Sequence, residues 1–190
     1  MPDGDSRLRD IMSQLGKPKP LWEPRALTDH PALVPDNAGL YAWYFLNLPG
    51  LPNGWGIQKP RVGYVGISPS TAEGKATLRE RLRAHLSGNA RGSTLRFSLG
   101  SLLMDALPLD PQPAGRGITW GSEGLLSGWM AEHARVMWVE CEVPSAIEQQ
   151  IIELFTPPLN LNHNQANPFR PTLRERRREA RRRARLRPGV

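Results

Sequence analysis

The sequence predicts an α+β domain, with a central three-stranded, mostly antiparallel sheet flanked by helices. Three observations carry this. Two short aromatic and aliphatic runs, Gly39–Phe45 (GLYAWYF) and Arg61–Ser68 (RVGYVGIS), read as adjacent strands. Leu78, Leu82 and Leu86 recur at i, i+4 and i+8, one apolar helical stripe. The β-branched, alternating stretch Arg135–Val143 reads as a third strand, and a further amphipathic segment follows it.

Before the first strand, repeated prolines in KPKPLWEPR argue against regular structure, so residues 1–36 are expected to form an extended arm lying on the domain. Asn47–Pro60 is saturated with turn residues and makes the first two strands a hairpin with an enlarged loop. Helices are expected over Ala76–Ser87, stopped by Gly88, then over Ser93–Leu107 and Glu123–His133, with a Pro- and Gly-rich loop at Leu109–Gly121. Pro144–Phe155 reads as the next helix, terminated by Pro157-Pro158. This divides the chain into an arm (1–36), a domain (37–167) and a tail (168–190).

A length of 190 residues suits one compact domain, and six tryptophans with 39% hydrophobic residues supply a core. Cys141 is the sole cysteine, so an intramolecular disulfide is excluded and a reducing, cytoplasmic setting is expected. No apolar run reaches the roughly 18 residues of a membrane span, and the amino-terminal stretch lacks the apolar centre of a signal peptide. A membrane partner is therefore not expected.

The net charge of +7 is a property of the tail, where ten arginines face only Glu175 and Glu179. Such a tract reads as a polyanion-binding arm, with nucleic acid ahead of membrane because no bulky apolar face accompanies it. Thr172 and Glu175 fit a capping box, so a helix over about 173–187 is plausible, with disorder as the alternative. Arginines on all its sides predict a segment that does not dock on the domain and turns helical when bound.

Four positions stand out as carriers of chemistry. Arg81 and His85 border the leucine stripe on the same side, so that both side chains address one point beside the sheet, whereas Arg83 faces away. In the helix ending at Phe155, Glu148 falls between Phe155 and Ile152, inside the arc formed by Leu154, Ile147, Ile151, Phe155 and Ile152. A core-facing carboxylate is costly unless paired or bound to a cation, which makes Glu148 a candidate metal ligand. Asn160 follows twelve residues later in TPPLN.

Gly39-Leu40-Tyr41 and Tyr64-Val65-Gly66, followed by Arg81 with His85 and by Glu148 with Asn160, resemble the ordered signatures of the GIY-YIG nuclease superfamily. The likeness covers about Asn37 to Asn164 and is strongest to looped restriction-enzyme-type and uncharacterised bacterial members. Leu40 and Val65 stand in place of isoleucines, and 23 residues separate Tyr41 from Tyr64, a long spacing for the family.

The resemblance implies a metal-dependent DNA endonuclease of restriction, repair or mobile-element biology. In that reading Glu148 holds one Mg²⁺ or Mn²⁺, Arg81 braces the scissile phosphate, and Tyr41 contacts or activates the attacking water. His85 or Tyr64 shares the proton handling, Asn160 orients the network, and Gly39 and Gly66 are structural. A phenol is a poor base unless a cationic neighbour lowers its pKa.

Arg91, Arg96, Arg174, Arg177, Arg178, Arg181 and Arg182 are expected to contact DNA phosphates, giving affinity without base reading. A cutter of both strands with one active site needs a homodimer or two sequential nicks. For a bacterial member a cytoplasmic, nucleoid-associated location is expected. The alternative is a nuclease-derived nucleic-acid-binding module with little or no catalysis.

Overall fold

The computed structural model describes residues 4–51, 61–71 and 73–186. In chain order it contains α1 (Gly4–Gly16), α2 (Pro24–Asp29), β1 (Gly39–Phe45), β2 (Arg61–Ser68), α3 (Leu78–Ser87), α4 (Thr94–Leu103), β3 (Pro111–Ala114), β4 (Gly117–Trp120), α5 (Glu123–His133), β5 (Ala134–Glu140), α6 (Glu148–Phe155) and α7 (Arg170–Arg185). Short 3-10 turns precede β1 and α6. The main sheet has the order β2-β1-β5 with both pairings antiparallel, so β1 is central. Residues 52–60 of the expected enlarged loop lie outside the described residues.

All seven residues of β1 are buried, because both faces of the sheet are covered. The period of two sorts them. Leu40, Ala42 and Tyr44 join Val65, Ile67, Met137, Ile151 and Ile152 on one side. Tyr41, Trp43 and Phe45 join Tyr64, Leu78, Leu82, Leu95 and Val136 on the other. Each fully buried aromatic or aliphatic side chain contributes roughly 1.5–3 kcal/mol, so a slip of β1 by one residue would be costly.

The amino-terminal arm is not extended. α1 inserts Ile11 and Leu15 into the first of these clusters, and the Tyr44 hydroxyl donates to the Leu15 carbonyl at 2.7 Å. Leu8, Ile11, Met12 and Leu15 supply an apolar stripe of helical spacing, and without α1 that sheet face would be partly bare. The proline-rich part behaves as expected in one respect. It runs along the edge of β5, where the Trp22 and Val136 backbones exchange hydrogen bonds of 2.8 and 3.0 Å and Trp22 stacks on Trp138.

Leu109–Gly121, expected as a loop, contains the antiparallel β3–β4 hairpin, whose Ile118 and Trp120 enter the core. α4 ends at Leu103, earlier than expected, and Trp120 packs against its Gly100, leaving no room there for a side chain.

The arginine-rich tail is helical from Arg170 and it docks, contrary to the expectation of an undocked segment. Leu173, Ala180 and Ala184 are buried in the core cluster against α4 and β3. Alanine is small enough that long arginine stems on either side close over it, so a narrow stripe suffices where no bulky apolar face exists. The helix starts two residues before the expected Thr172 cap, with Pro171 in the first turn, where its missing N–H costs nothing. Three buried asparagines lead the chain into it. Asn164 and Asn167 bond the backbone of this irregular segment, including the Pro157 carbonyl at 2.7 Å from Asn164 Nδ2, while Asn160 bonds the backbone of β2.

Candidate active site

β1, β2 and α3 bring four of the expected residues together. α3 begins at a reciprocal capping box, with Thr77 Oγ1 accepting from Glu80 N–H at 3.3 Å and Glu80 Oε2 accepting from Thr77 N–H at 3.0 Å. Ser68 Oγ bonds the Ala76 and Thr77 carbonyls, which ties the end of β2 to the start of this helix. Leu78 and Leu82 are buried against the sheet, and the same helix side carries Arg81 and His85 to Tyr41.

The Tyr41 hydroxyl lies 2.7 Å from His85 Nε2 and accepts from Arg81 Nε at 3.2 Å. On its far side the His85 ring meets Ser93 Oγ at 2.6 Å through Nδ1, and Arg81 also donates to the Gly92 carbonyl at 3.2 Å. Tyr64 shares the sheet face, its ring 6.4 Å from that of Tyr41, and the Arg81 charge acts on its phenol. Gly66 stands directly opposite Tyr41 in the β1–β2 ladder, and the Tyr41 ring leans over it, so that an added Cβ would lie 2.6 Å from Tyr41 Cζ. Gly39 likewise leaves space for Leu78 of α3 and for the β5 backbone.

Gly66→Ala therefore cannot keep the Tyr41 hydroxyl on His85. A cost of about 1–3 kcal/mol is expected from overpacking, together with a fall in any Tyr41-dependent activity. Thermal unfolding and activity measured on one preparation check it. Unchanged values of both would show that the ring has room to move.

Electrostatics in the cluster run against a free phenolate. Burial pushes the Tyr41 phenol far up, its closeness to Tyr64 adds to this, and Arg81 offsets only part. The lowered tyrosine pKa that a phenolate base requires is thus not what the site provides. Tyr64 is raised by burial as well. His85 is held well below its usual range by burial and then by Arg81 and Arg96, so its ring is neutral, donating through one nitrogen and accepting through the other.

Glu148 is the first residue of α6, half-buried at the mouth of the cluster. It has no hydrogen-bond or ion-pair partner among the described residues. Burial raises its pKa, while His163 and Arg81 pull the other way, and its charge acts on both Tyr41 and Tyr64. Ile151 and Ile152 are the buried residues of α6, and on the helical wheel Glu148 projects between them. Leu154, expected in the buried arc, is 53% exposed, so the core-facing side is centred closer to Glu148 than the apolar pattern implied.

Among the described residues no three His, Cys, Asp or Glu side chains gather to hold a metal. A half-buried, unpartnered carboxylate fits a hard divalent cation that keeps several waters and takes its remaining oxygens from a phosphate, which suits Mg²⁺ or Mn²⁺.

Both polar atoms of the Asn160 side chain are engaged by the β2 backbone. Its Oδ1 accepts from the Val65 N–H at 2.9 Å and its Nδ2 donates to the Val65 carbonyl at 2.8 Å, so it pairs with the outer edge of β2 as a further strand would. Arg96 is no surface residue, with a side chain 0% exposed in an ion pair with Glu123 at 2.7 Å. Its guanidinium also donates to the His85 carbonyl at 2.9 Å and to Ser127 Oγ at 3.1 Å, knitting α4 to α3 and α5. Arg96 faces inward because Ser93 caps α4 and sets its first turn against the His85 helix.

Arg91 is exposed beside the β3–β4 turn, and Arg174, Arg178, Arg181 and Arg182 are exposed on α7, with Arg177 half-buried. Sequence reasoning missed Ser93, His163 and Glu123. Ser93 had a signal as the helix cap before Thr94, whereas nothing local marks the other two.

The fold and cluster define a small α+β domain in which a guanidinium, a phenol–imidazole pair and an unpartnered carboxylate act on one another. The sequence model of the GIY-YIG catalytic domain matches residues 39–179, more than half of the chain, and the chain belongs to this nuclease family. That span reaches well into α7, further than the resemblance read from the motifs. Comparison with curated proteins and with solved structures gives no match. Among the described residues no helix is long and apolar enough to cross a membrane.

Proposed function

We propose that this chain is a divalent-cation-dependent DNA endonuclease. The observation that carries the reading is the hydrogen-bonded group of Tyr41, His85 and Arg81, with the Glu148 charge in reach of the two tyrosines. Arg81 supplies a planar donor fork to the scissile phosphate. Tyr41 takes a proton from the attacking water as it passes its own to His85 Nε2, so no phenolate forms; Nδ1–H then donates to Ser93. The cost of a charged imidazole between Arg81 and Arg96 is offset by the negative charge that the phosphate brings.

Glu148 holds the cation, which supplies Lewis-acid stabilisation of the phosphoryl oxygens. Asn160 acts at one remove by clamping β2 beside Tyr64, and Gly66 does so by leaving space for Tyr41. The binding-module alternative predicts the same affinity without turnover.

Supercoiled plasmid and a labelled branched duplex, incubated with Mg²⁺, Mn²⁺ or EDTA, test the reading. Metal-dependent nicking is expected, and Tyr41→Phe is expected to slow it by about 10²–10⁴-fold. DNA that is bound and left uncut under all three conditions would instead favour the binding module.

A further inference from the structure

Beyond Arg170, which donates to the Leu161 carbonyl, the arginines of α7 form two sets. Arg176 and Arg183 bind Asp105 at 2.6 and 2.8 Å, Arg182 and Arg183 bind Glu179 at 2.7 and 2.8 Å, and Arg178 pairs with Glu175. Arg174, Arg177, Arg181 and Arg185 have no carboxylate partner among the described residues. Their spacing of i, i+3, i+7 and i+11 places them in one row beside the docked stripe of Leu173, Ala180 and Ala184. With Leu161, Leu186 and the paired Arg178 and Arg182 they line an open groove of about 630 Å³.

Two members of this row are built in. The guanidinium carbons of Arg177 and Arg181 lie over the Phe97 ring, 4.4 and 4.6 Å from its centroid. Arg177 Nε is buried without a hydrogen-bond partner. Two like charges held together beside an unfilled donor are costly until an anion joins them. Burial and the Arg181 charge bring Arg177 down to about 10, so it stays cationic at neutral pH. The row also leads to the catalytic cluster, since the Arg177 charge acts on the Tyr64 phenol.

We propose that the row Arg174, Arg177, Arg181 and Arg185 is the track for the phosphate backbone of the cleaved DNA strand, with Arg177 gripping a phosphate that flanks the scissile one. This rests on the nuclease reading. The row spans about 16 Å at about 1.5 Å per residue, long enough to follow a few successive phosphates of one strand. Arg176 and Arg183 tie α7 to Asp105, and Arg178 and Arg182, which also face the groove, are held by Glu175 and Glu179 within the helix, so these four are not assigned to the track. Arg177 is thus a substrate-positioning residue, separate from Tyr41, Arg81 and Glu148.

Single-turnover cleavage at saturating DNA, with the cut mapped and each flanking phosphate replaced in turn by a neutral methylphosphonate, tests this. Arg177→Met keeps an apolar stem over Phe97 and is expected to slow saturated cleavage by about ten- to a hundredfold, with partial recovery in Arg177→Lys. One neutral linkage should slow the wild-type protein by a similar factor and leave Arg177→Met no slower. A folded Arg177→Met that cuts at the wild-type rate, or losses that multiply at every flanking linkage, would overturn the proposal with the nuclease reading intact.

Should the wild-type protein cut nothing, the nuclease reading fails by itself, and DNA binding in EDTA still decides the track. Replacing Arg174, Arg177 and Arg181 together by methionine should then flatten the salt dependence by a slope of about 2.7. An unchanged slope would sink the track.

Discussion

Glu148→Gln is expected to abolish cation-dependent cleavage while raising thermal stability. A bound cation supplies several kcal/mol of transition-state stabilisation, and each 1.4 kcal/mol is tenfold in rate, so a loss of at least about 10³-fold is expected. Stability moves the other way because burial raises the Glu148 pKa above its usual 4.5. The folded state then holds the proton more tightly than the unfolded state. This group therefore favours folding below 4.5, and the benefit is lost as pH rises through the raised folded value. At neutral pH the ionised carboxylate is a net cost, which the neutral amide removes.

The same shift sets the acid limit of activity. The cation needs the carboxylate ionised, so its affinity should fall with decreasing pH sooner than for an exposed glutamate. Mg²⁺ should raise the melting temperature of the wild-type protein and leave that of Glu148→Gln unchanged. Calorimetric scans with and without Mg²⁺ at several pH values read all of this. A variant less stable than wild type at neutral pH would overturn the burial cost of the charge, and one equally responsive to Mg²⁺ would remove Glu148 from the metal site.

Glu123→Ala is expected to be strongly destabilising although it removes no apolar core residue. The Arg96 side chain is 0% exposed, and Glu123 accepts from its Nε and Nη2 at 2.9 and 2.7 Å. Glu123 also accepts from the backbone N–H groups of Ala90 at 2.7 Å and Trp120 at 3.2 Å. Removing one partner of a buried pair strands the other charge, at about 3–5 kcal/mol. The carboxylate is 20% exposed, which places the expectation near the lower end, about 3 kcal/mol. At about 2–4 °C per kcal/mol for a chain of this size, the melting temperature should fall by roughly 10 °C. A shift within about 2 °C would mean that water reaches Arg96 and that its surface role should be reconsidered.

The central hairpin and the cluster on it were legible because each rests on local pattern. The alternation in GLYAWYF and RVGYVGIS defines strands, and the spacing of Arg81, His85 and the leucines defines one helix side facing them. Glu148 was legible by its conflict with that kind of pattern, a charge among apolar residues. Arg96 misled for the opposite reason. Arginine is rarely fully buried, and its partner Glu123 lies 27 residues away on another helix, a pairing that no local period reveals. The bonds of Asn160 to the Val65 backbone were not legible, since an amide serves a strand edge as readily as an active site.

The sequence by itself determined the three-stranded antiparallel sheet, the helix that carries Arg81 and His85 to Tyr41, and the family to which these belong. Local periodicity suffices there, because each apolar stripe has a single sheet to cover. Only the tertiary structure decided that α1 closes the far side of the sheet, that Arg96 is an internal tie, and that α7 docks. It also separated the arginines of α7 into those bound by Asp105, Glu175 and Glu179 and those along the groove that no carboxylate among the described residues holds. These are long-range outcomes. A charge acquires its role from what the fold sets opposite it, and composition carries no record of that.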